Sequence, residues 1–178
     1  RIKRVDGNSL VSWGSQIQYK PSDKFLLNYS TFIGTDKPDS ARLMRVFHNI
    51  YSIVNLTDEI ALTLGFDIGT EQKTVSGNSI NTWYSPVGIL KYTINNQWAV
   101  AVRGEHYNDK NGVIVATATV NGFKTTGYSI NVDYTPVKNA MIRLEARNLH
   151  SKDAIFERKG ETKNNNTFIT CSIAVSLQ

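Results

Sequence analysis

The sequence lacks several features that define common classes of protein. A single cysteine among 178 residues excludes an internal disulfide framework and any cysteine-based zinc site. No run of 18 or more apolar residues is present, and this excludes a transmembrane helix. Charged residues make up 20% and aromatic residues 10% of the chain, which is too ordinary a content for a disordered tail.

Positive charge is in slight excess, but it is dispersed along the chain. There are 20 Lys and Arg against 15 Asp and Glu, which gives a formal net charge of +5. After Arg1, Lys3 and Arg4 no basic run follows, so nucleic acid is not an expected partner. We expect the boundary at Arg1 to be artificial or processed, because no leader precedes the patterned sequence.

Apolar and polar residues alternate with a period of two along almost the whole chain, and a helical stripe is lacking. In the clearest segment, the alternating residues are Tyr128, Ile130, Val132 and Tyr134 against Ser129, Asn131 and Asp133. Segments 11–19, 25–33, 60–69 and 169–177 show the same pattern. Each predicts a strand with one apolar and one polar face. Segment 46–54 is also strand-like, without a clear assignment of its faces.

Short and long connections alternate between the predicted strands. Tight turn signals occur at 21–23, 57–58, 95–96 and 136–139, and long polar connections cover 34–41, 69–82, 108–124 and 148–165. We count about nine strands in an up-and-down meander. Short turns on one side and long loops on the other are typical of an outer-membrane barrel. The predicted fold is therefore all-β, an antiparallel up-and-down transmembrane β-barrel, with residues 1–178 in one domain.

Alternation alone also fits a soluble, lipocalin-like barrel with an apolar interior. Three features favour the membrane barrel: a polar face of small neutral residues, apolar stripes long enough to approach the height of a bilayer, and aromatic residues beside the short turns. These predicted interface aromatics are Tyr19, Phe25, Tyr92, Trp98 and Tyr134. The lipid bilayer is thus an expected partner, and the bacterial outer membrane is the expected location.

An odd number of strands is unusual for a bacterial single-chain barrel. Open sheet edges cannot face lipid, because each unpaired backbone group costs several kcal/mol there. We therefore expect the nine strands to be the C-terminal part of a larger barrel. A closed barrel formed by these residues alone would refute that expectation.

Charged residues at alternate positions are the most informative feature of the later strands. An arginine on the lipid face costs about 2–4 kcal/mol at the bilayer midplane, so these side chains are predicted to face the lumen. The predicted lumen-lining and selectivity residues are Asp67, Arg103, Glu105, Asn131, Asp133, Arg143, Glu145 and Arg147. They either set solute selectivity in an aqueous pore or form a structural network that holds the wall together.

Catalytic or metal chemistry is not expected. His150 lies beside Asn148 and Ser151, but catalytic triads assemble from distant segments. Glu105 and His106 point to opposite faces of one strand and cannot act on one substrate. The sequence therefore predicts neither an enzyme nor a cofactor or metal site.

The connection 112–122 is too apolar for a free surface loop. It either extends the neighbouring strands above the membrane or folds inward and narrows the pore. We favour extension as the simpler arrangement.

Two blocks of sequence resemble the OmpL-like beta-barrel porin family of Gram-negative bacteria. The first block is Trp83–Gly112, with its Asn95-Asn96 turn and the run from Arg103 onward; the second is Val132–Arg147. The polar stretch Asn164–Thr167 before a terminal strand agrees as well. The resemblance implies an outer-membrane barrel that acts as a passive channel for small solutes. The chain departs from the usual pattern in ending Ser176-Leu177-Gln178, without a terminal aromatic residue.

The function predicted from the sequence is passive diffusion of small solutes through a polar, charge-lined lumen. The alternative is a non-conducting barrel that serves as a structural or partner-binding subunit of an envelope complex, together with other outer-membrane proteins. Strand number separates the two, because small barrels are filled by their own side chains whereas barrels of about sixteen strands leave a channel.

Overall fold

A nine-stranded antiparallel sheet forms most of the structure, a computed structural model that describes residues 5–176. Each strand pairs with the next along the chain, except that the final strand follows a small hairpin. The strands of the large sheet are β1 (Trp13–Ser22), β2 (Phe25–Gly34), β3 (Arg45–Asn55), β4 (Ile60–Gln72), β5 (Ile80–Thr93), β6 (Trp98–Asp109), β7 (Phe123–Val137), β8 (Ala140–Ser151) and β11 (Asn165–Val175). This order confirms the predicted up-and-down meander.

The connections alternate in length as the turn signals predict. Two short strands, β9 (Phe156–Arg158) and β10 (Glu161–Lys163), form a hairpin in the last long connection, and a 3-10 helix, Asp39–Ala41, lies in the first. Some long connections are shorter than predicted. Half of the segment 69–82 is strand, because β4 and β5 remain paired to the register position Gln72–Ile80.

Within residues 5–176, no helix has the length and apolar character needed to cross a bilayer.

Register fixes which side chains share a face, because directly paired residues point to the same side of a sheet. Ile130 pairs with Ala146, and Ser129 pairs with Arg147. On the apolar face Ile130 and Leu144 are each 53% exposed, whereas Ser129 on the polar face is 9% exposed. A single sheet can bury one face in this way only if it curves around that face. We call the concave, polar side the inner face and the convex, apolar side the outer face.

The apolar band on the outer face drifts along the register from β4 to β11. Ile60 is the outer residue of β4 closest to the short turns, and the register connects it through β5, β6 and β7 with Leu144 of β8. On β8, however, the apolar band continues one outer position further towards the short turns, to Ile142. At the other end of the band, Ile68 is connected with Lys124 of β7. An apolar band of constant height runs oblique to the register in this way when the strands are tilted, as in membrane barrels.

Among residues 5–176 the large sheet is open. β1 pairs with β2 and β11 pairs with β8, and these two outermost strands do not pair with each other. The expectation that further strands complete the barrel stays a prediction. Arg1, Lys3, Arg4 and Leu177, which the sequence analysis singled out, lie outside the described residues.

Candidate functional site: the inner face

All eight side chains predicted to line a lumen lie on the inner face. The register pairs Asp133 with Arg143 and Asn131 with Glu145 across β7 and β8. Arg103 shares a register row with Arg147 through Ser129, and Glu105 lies two residues further along β6. Asp67 occupies the same face of β4, where it accepts a 2.6 Å hydrogen bond from the side-chain amide of Asn49. Their role in selectivity stays a prediction.

Asp133 and Arg143 form a bidentate ion pair. Arg143 donates from Nε to Oδ1 at 2.7 Å and from Nη2 to Oδ2 at 2.8 Å. The side-chain amide of Asn131 adds a 2.9 Å hydrogen bond to Oδ1. The Asp133 side chain is 8% exposed and Arg143 is 41% exposed, so the carboxylate is held in the wall while the guanidinium faces open space.

A second ionic cluster joins β6 and β8. Glu105 accepts hydrogen bonds or ion-pair contacts from both Arg103 and Arg147. Two guanidinium groups therefore share one carboxylate, and the cluster keeps one positive charge.

A groove of about 340 Å³ runs along the inner face on the side of the short turns. Its ionisable lining includes three basic residues, Lys91, Arg103 and Arg143, and two acidic residues, Asp133 and Glu145. Charges of both signs thus border the same open space.

The inner face has a different character towards the long connections. Arg45 of β3 donates from Nε at 3.0 Å and from Nη2 at 2.6 Å to Glu71 Oε2 on β4, and it also pairs with Asp36. The Arg45 guanidinium lies 5.4 Å from the ring centroid of Trp83, a cation–π contact. A methyl group at Gly69 would overlap the same ring, so Trp83 packs between Gly69 and Arg45.

At this end the small polar side chains of the inner face give way to larger ones. Trp83, only 3% exposed, points inward, and a cavity of about 410 Å³ is lined by aromatic, aliphatic and charged side chains. These lining residues are Phe32, Asp36, Arg45, Phe47, Asp67, Trp83, Tyr107 and Ile114. The sequence could have placed Trp83 on the inner face. Tyr84 and Tyr92 of β5 point outward, so the odd-numbered residues of that strand point inward.

The apolar connection between β6 and β7 folds inward, so the favoured expectation of strand extension is wrong. β6 ends at Asp109 and β7 begins at Phe123, and Ile114 lines the inner cavity. The buried Asp109 carboxylate accepts backbone N–H groups at 2.7–2.9 Å from the three residues Val113, Ile114 and Val115. Satisfying three amides with one local carboxylate stabilises the inward turn.

The same inward loop is tied to the last long connection. Asn121 donates to Asp153 from its backbone N–H at 2.8 Å and from its side-chain amide at 2.7 Å. These hydrogen bonds lower the pKa of Asp153 below its ordinary value, the backbone one being the larger cause.

All five predicted interface aromatics lie on the outer face, and their membrane role stays a prediction. Trp98 and Tyr134 stack with ring centroids 4.5 Å apart beside the short turns. A second set of amphipathic rings lies towards the long connections, where Tyr29 stacks on His48 and Tyr84 contacts His106. The Tyr29 hydroxyl lies 2.8 Å from His48 Nδ1, so the two side chains form a hydrogen bond.

The other two histidines, His106 and His150, lie on the outer face, and each has a polar side-chain partner there. His106 Nδ1 lies 2.9 Å from Thr126 Oγ1, whereas its neighbour Glu105 faces inward. His150 Nδ1 lies 2.9 Å from Asn165 Oδ1. Within residues 5–176, no group of three or more His, Cys, Asp or Glu side chains could hold a metal ion.

An antiparallel sheet with an apolar convex face and a charged concave face is typical of the wall of a transmembrane β-barrel. The family described as "Putative beta-barrel porin-2, OmpL-like" matches residues 1–177, and the chain belongs to this family. The match confirms the resemblance and extends it over the first third of the chain, where the sequence agreed only in pattern. No curated protein and no solved structure matches the chain.

Proposed function

We propose that the chain forms part of the wall of an outer-membrane channel through which small solutes diffuse passively. The observation that carries the proposal is that charged side chains line the inner groove, whereas the outer face exposes Ile130, Leu144 and their neighbours. Such an outer face is stable against acyl chains, and such an inner face is stable against water.

The geometry supports a channel in which fixed charges on the wall create local electric fields across the lumen. Asp133 and Arg143 are held against each other in a fixed bidentate geometry, so their charges keep constant positions along the solute path. The inward loop lies over the same face and reduces the open cross-section near Ile114. Solutes would pass first the loop and then the mixed-charge groove.

Conductance of the intact protein in planar bilayers tests the proposal directly. Discrete, ohmic channel openings are expected. Neutralising the lining with Arg143→Gln and Arg147→Gln removes two positive charges and should shift the reversal potential in a KCl gradient towards cation preference. Arg158→Gln is the matched control, because it removes the same charge from the exposed hairpin strand β9.

Two outcomes test different parts of the proposal. Conductance with an unchanged reversal potential in both lining variants would keep the channel and assign the ion pairs to wall structure alone. Complete absence of conductance from correctly folded protein would instead favour a non-conducting structural or partner-binding barrel.

A further inference from the structure

A small cavity on the inner face lies against the charge cluster formed by Arg103, Glu105 and Arg147. It measures about 170 Å³ and lies between β5, β6, β7 and β8. Its lining residues are Ser85, Glu105, Tyr107, Phe123, Thr125, Gly127, Arg147 and Leu149. The proposed channel function does not require a recess of this kind in the wall, so the cavity needs a separate explanation.

Unused hydrogen-bonding groups converge on this cavity. Thr125 is 4% exposed, and no group in residues 5–176 hydrogen-bonds to its Oγ1. The buried Nε atom of Arg147, which also lines the cavity, likewise has no hydrogen-bond partner among the described residues. Buried polar groups are nearly always hydrogen-bonded, so these atoms indicate a site that takes a ligand.

The cavity favours an acceptor of negative charge. Arginine nitrogens can only donate, and the one carboxylate in the lining, Glu105, is already shared by two guanidinium groups. The cluster therefore retains one positive charge next to the Thr125 hydroxyl. A carboxylate would accept hydrogen bonds from Arg147 and Thr125 together and neutralise that charge.

The rest of the lining is apolar and limits ligand size. Phe123 packs edge-on against the Tyr107 ring with centroids 5.5 Å apart, and Leu149 closes the wall. Glu105 and Leu149 pack directly on Gly127, because a methyl group there would lie 2.6 Å from Glu105 Oε1 and 2.9 Å from Leu149 Cδ2, so an alanine would push these side chains into the cavity. The volume suits a ligand with a few carbon atoms.

We propose that this cavity is a binding subsite for small aliphatic carboxylates, held by Arg147 and Thr125. The inference rests on the proposed channel, because it names a class of solute that pauses on the inner wall. It predicts binding whether or not current is measured.

Equilibrium binding of sodium butyrate to the intact protein in lipid nanodiscs tests the site independently of conduction. Saturation-transfer NMR and calorimetry should detect butyrate and show binding of methyl butyrate at least about tenfold weaker, because the ester has lost the charge that meets Arg147. Thr125→Val removes only the hydroxyl and should weaken butyrate binding by about three- to tenfold. Thr170→Val is the matched control, since Thr170 is exposed on the inner face of β11 outside this cavity.

The possible outcomes separate the subsite from the channel. Conductance without butyrate binding, equal binding of acid and ester, or no effect of Thr125→Val would each overturn the subsite and leave the channel intact. Binding with these preferences in a protein that conducts no current would support the subsite and contradict the channel. Gly127→Ala gives a second check, because the side chains that its methyl group pushes into the cavity should abolish binding while Thr125→Val only weakens it.

Discussion

Ion pairs between an arginine and a carboxylate on the neighbouring strand occur in two different settings on the inner face. Near the short turns, the Arg143 side chain is 41% exposed beside Asp133 in an open groove. Near the long connections, Arg45 is 11% exposed and Glu71 is 5% exposed, beneath the inward loop and against Trp83. One pair faces the proposed solute path, and the other is enclosed by packing.

This difference predicts different roles for chemically similar pairs. A pair in contact with water contributes little to stability because solvent screens it, so its fixed charges remain available to act on passing solutes. Breaking an enclosed pair leaves a charge without compensation in a low-dielectric environment, which is strongly destabilising. We therefore expect stability to depend on the Arg45 region and ion preference to depend on the Arg143 region.

The largest expected effect is loss of stability when the enclosed pair is broken. Glu71→Gln should lower the free energy of unfolding by about 3 kcal/mol, at the lower end for buried pairs because Asp36 still contacts Arg45. Urea titration of protein folded into vesicles, followed by tryptophan fluorescence, measures the change. Asp133→Asn, the corresponding change in the open groove, should cost about 1 kcal/mol or less.

Equal losses of unfolding free energy in these two variants would contradict the expectation that stability depends more on the enclosed pair. A larger loss in Asp133→Asn than in Glu71→Gln would show that stability depends more on the pair in the open groove.

The second effect concerns the close packing of Trp83 on Gly69. A methyl group at Gly69 overlaps the ring, and any shift of the ring would disturb its contact with the Arg45 guanidinium. Gly69→Ala should therefore destabilise the protein by about 1–3 kcal/mol, the usual cost of overpacking. Gly104→Ala is the control, because a methyl group there would lie 4.0 Å from Tyr128 on the outer face.

The same urea titration measures this change. An unchanged free energy of unfolding in Gly69→Ala would show that the side chains around Trp83 can shift to accommodate the methyl group.

Release of the inward loop should have a smaller effect on stability and a visible effect on current. Asp109→Ala removes the carboxylate that accepts three backbone N–H groups, and the freed amides can turn to water, so the cost should be about 1 kcal/mol. Single-channel conductance should rise because the loop no longer narrows the lumen near Ile114. Unchanged conductance, with new protease cleavage within 110–122, would show that the loop moves without limiting the current.

The smallest effect is a response to acid in the first long connection. Hydrogen bonds from the Ser9 side chain, from Arg42 and from the Ser9 backbone N–H lower the pKa of Asp39 from 3.8 to about 2. Because the folded pKa is depressed, this contact stabilises the segment above pH 3.8 and is lost as the pH falls towards 2. The protection factor of the Ser9 amide, the exchange rate of an unstructured amide relative to that of Ser9 at the same pH, should fall across that interval.

Asp39→Asn removes the titrating group, so the protection factor at Ser9 should lose its dependence on pH. A protection factor at Ser9 that is independent of pH in the unmodified protein would contradict the assignment of Asp39 as the titrating group.

Sequence alternation predicted the strands and faces well, because a period of two fixes parity along each strand. It placed Arg103, Glu105 and Arg147 on one face without knowledge of their contacts. Alternation carries no information on curvature or loop paths, so the enclosure of Trp83 and the inward turn at Asp109 were missed. The pairing of Arg45 with Glu71 depends on the register between β3 and β4, and alternation alone cannot supply that register.

The most direct test is the water accessibility of two neighbouring side chains on β7. In a Cys171→Ser background, Ile130→Cys and Asn131→Cys place a thiol on the outer face and the inner face of one strand. We expect a charged, membrane-impermeant thiosulfonate to label Asn131→Cys in folded, membrane-inserted protein and to leave Ile130→Cys unlabelled. Rapid labelling of Ile130→Cys with protection of Asn131→Cys would invert the two faces and contradict a channel wall.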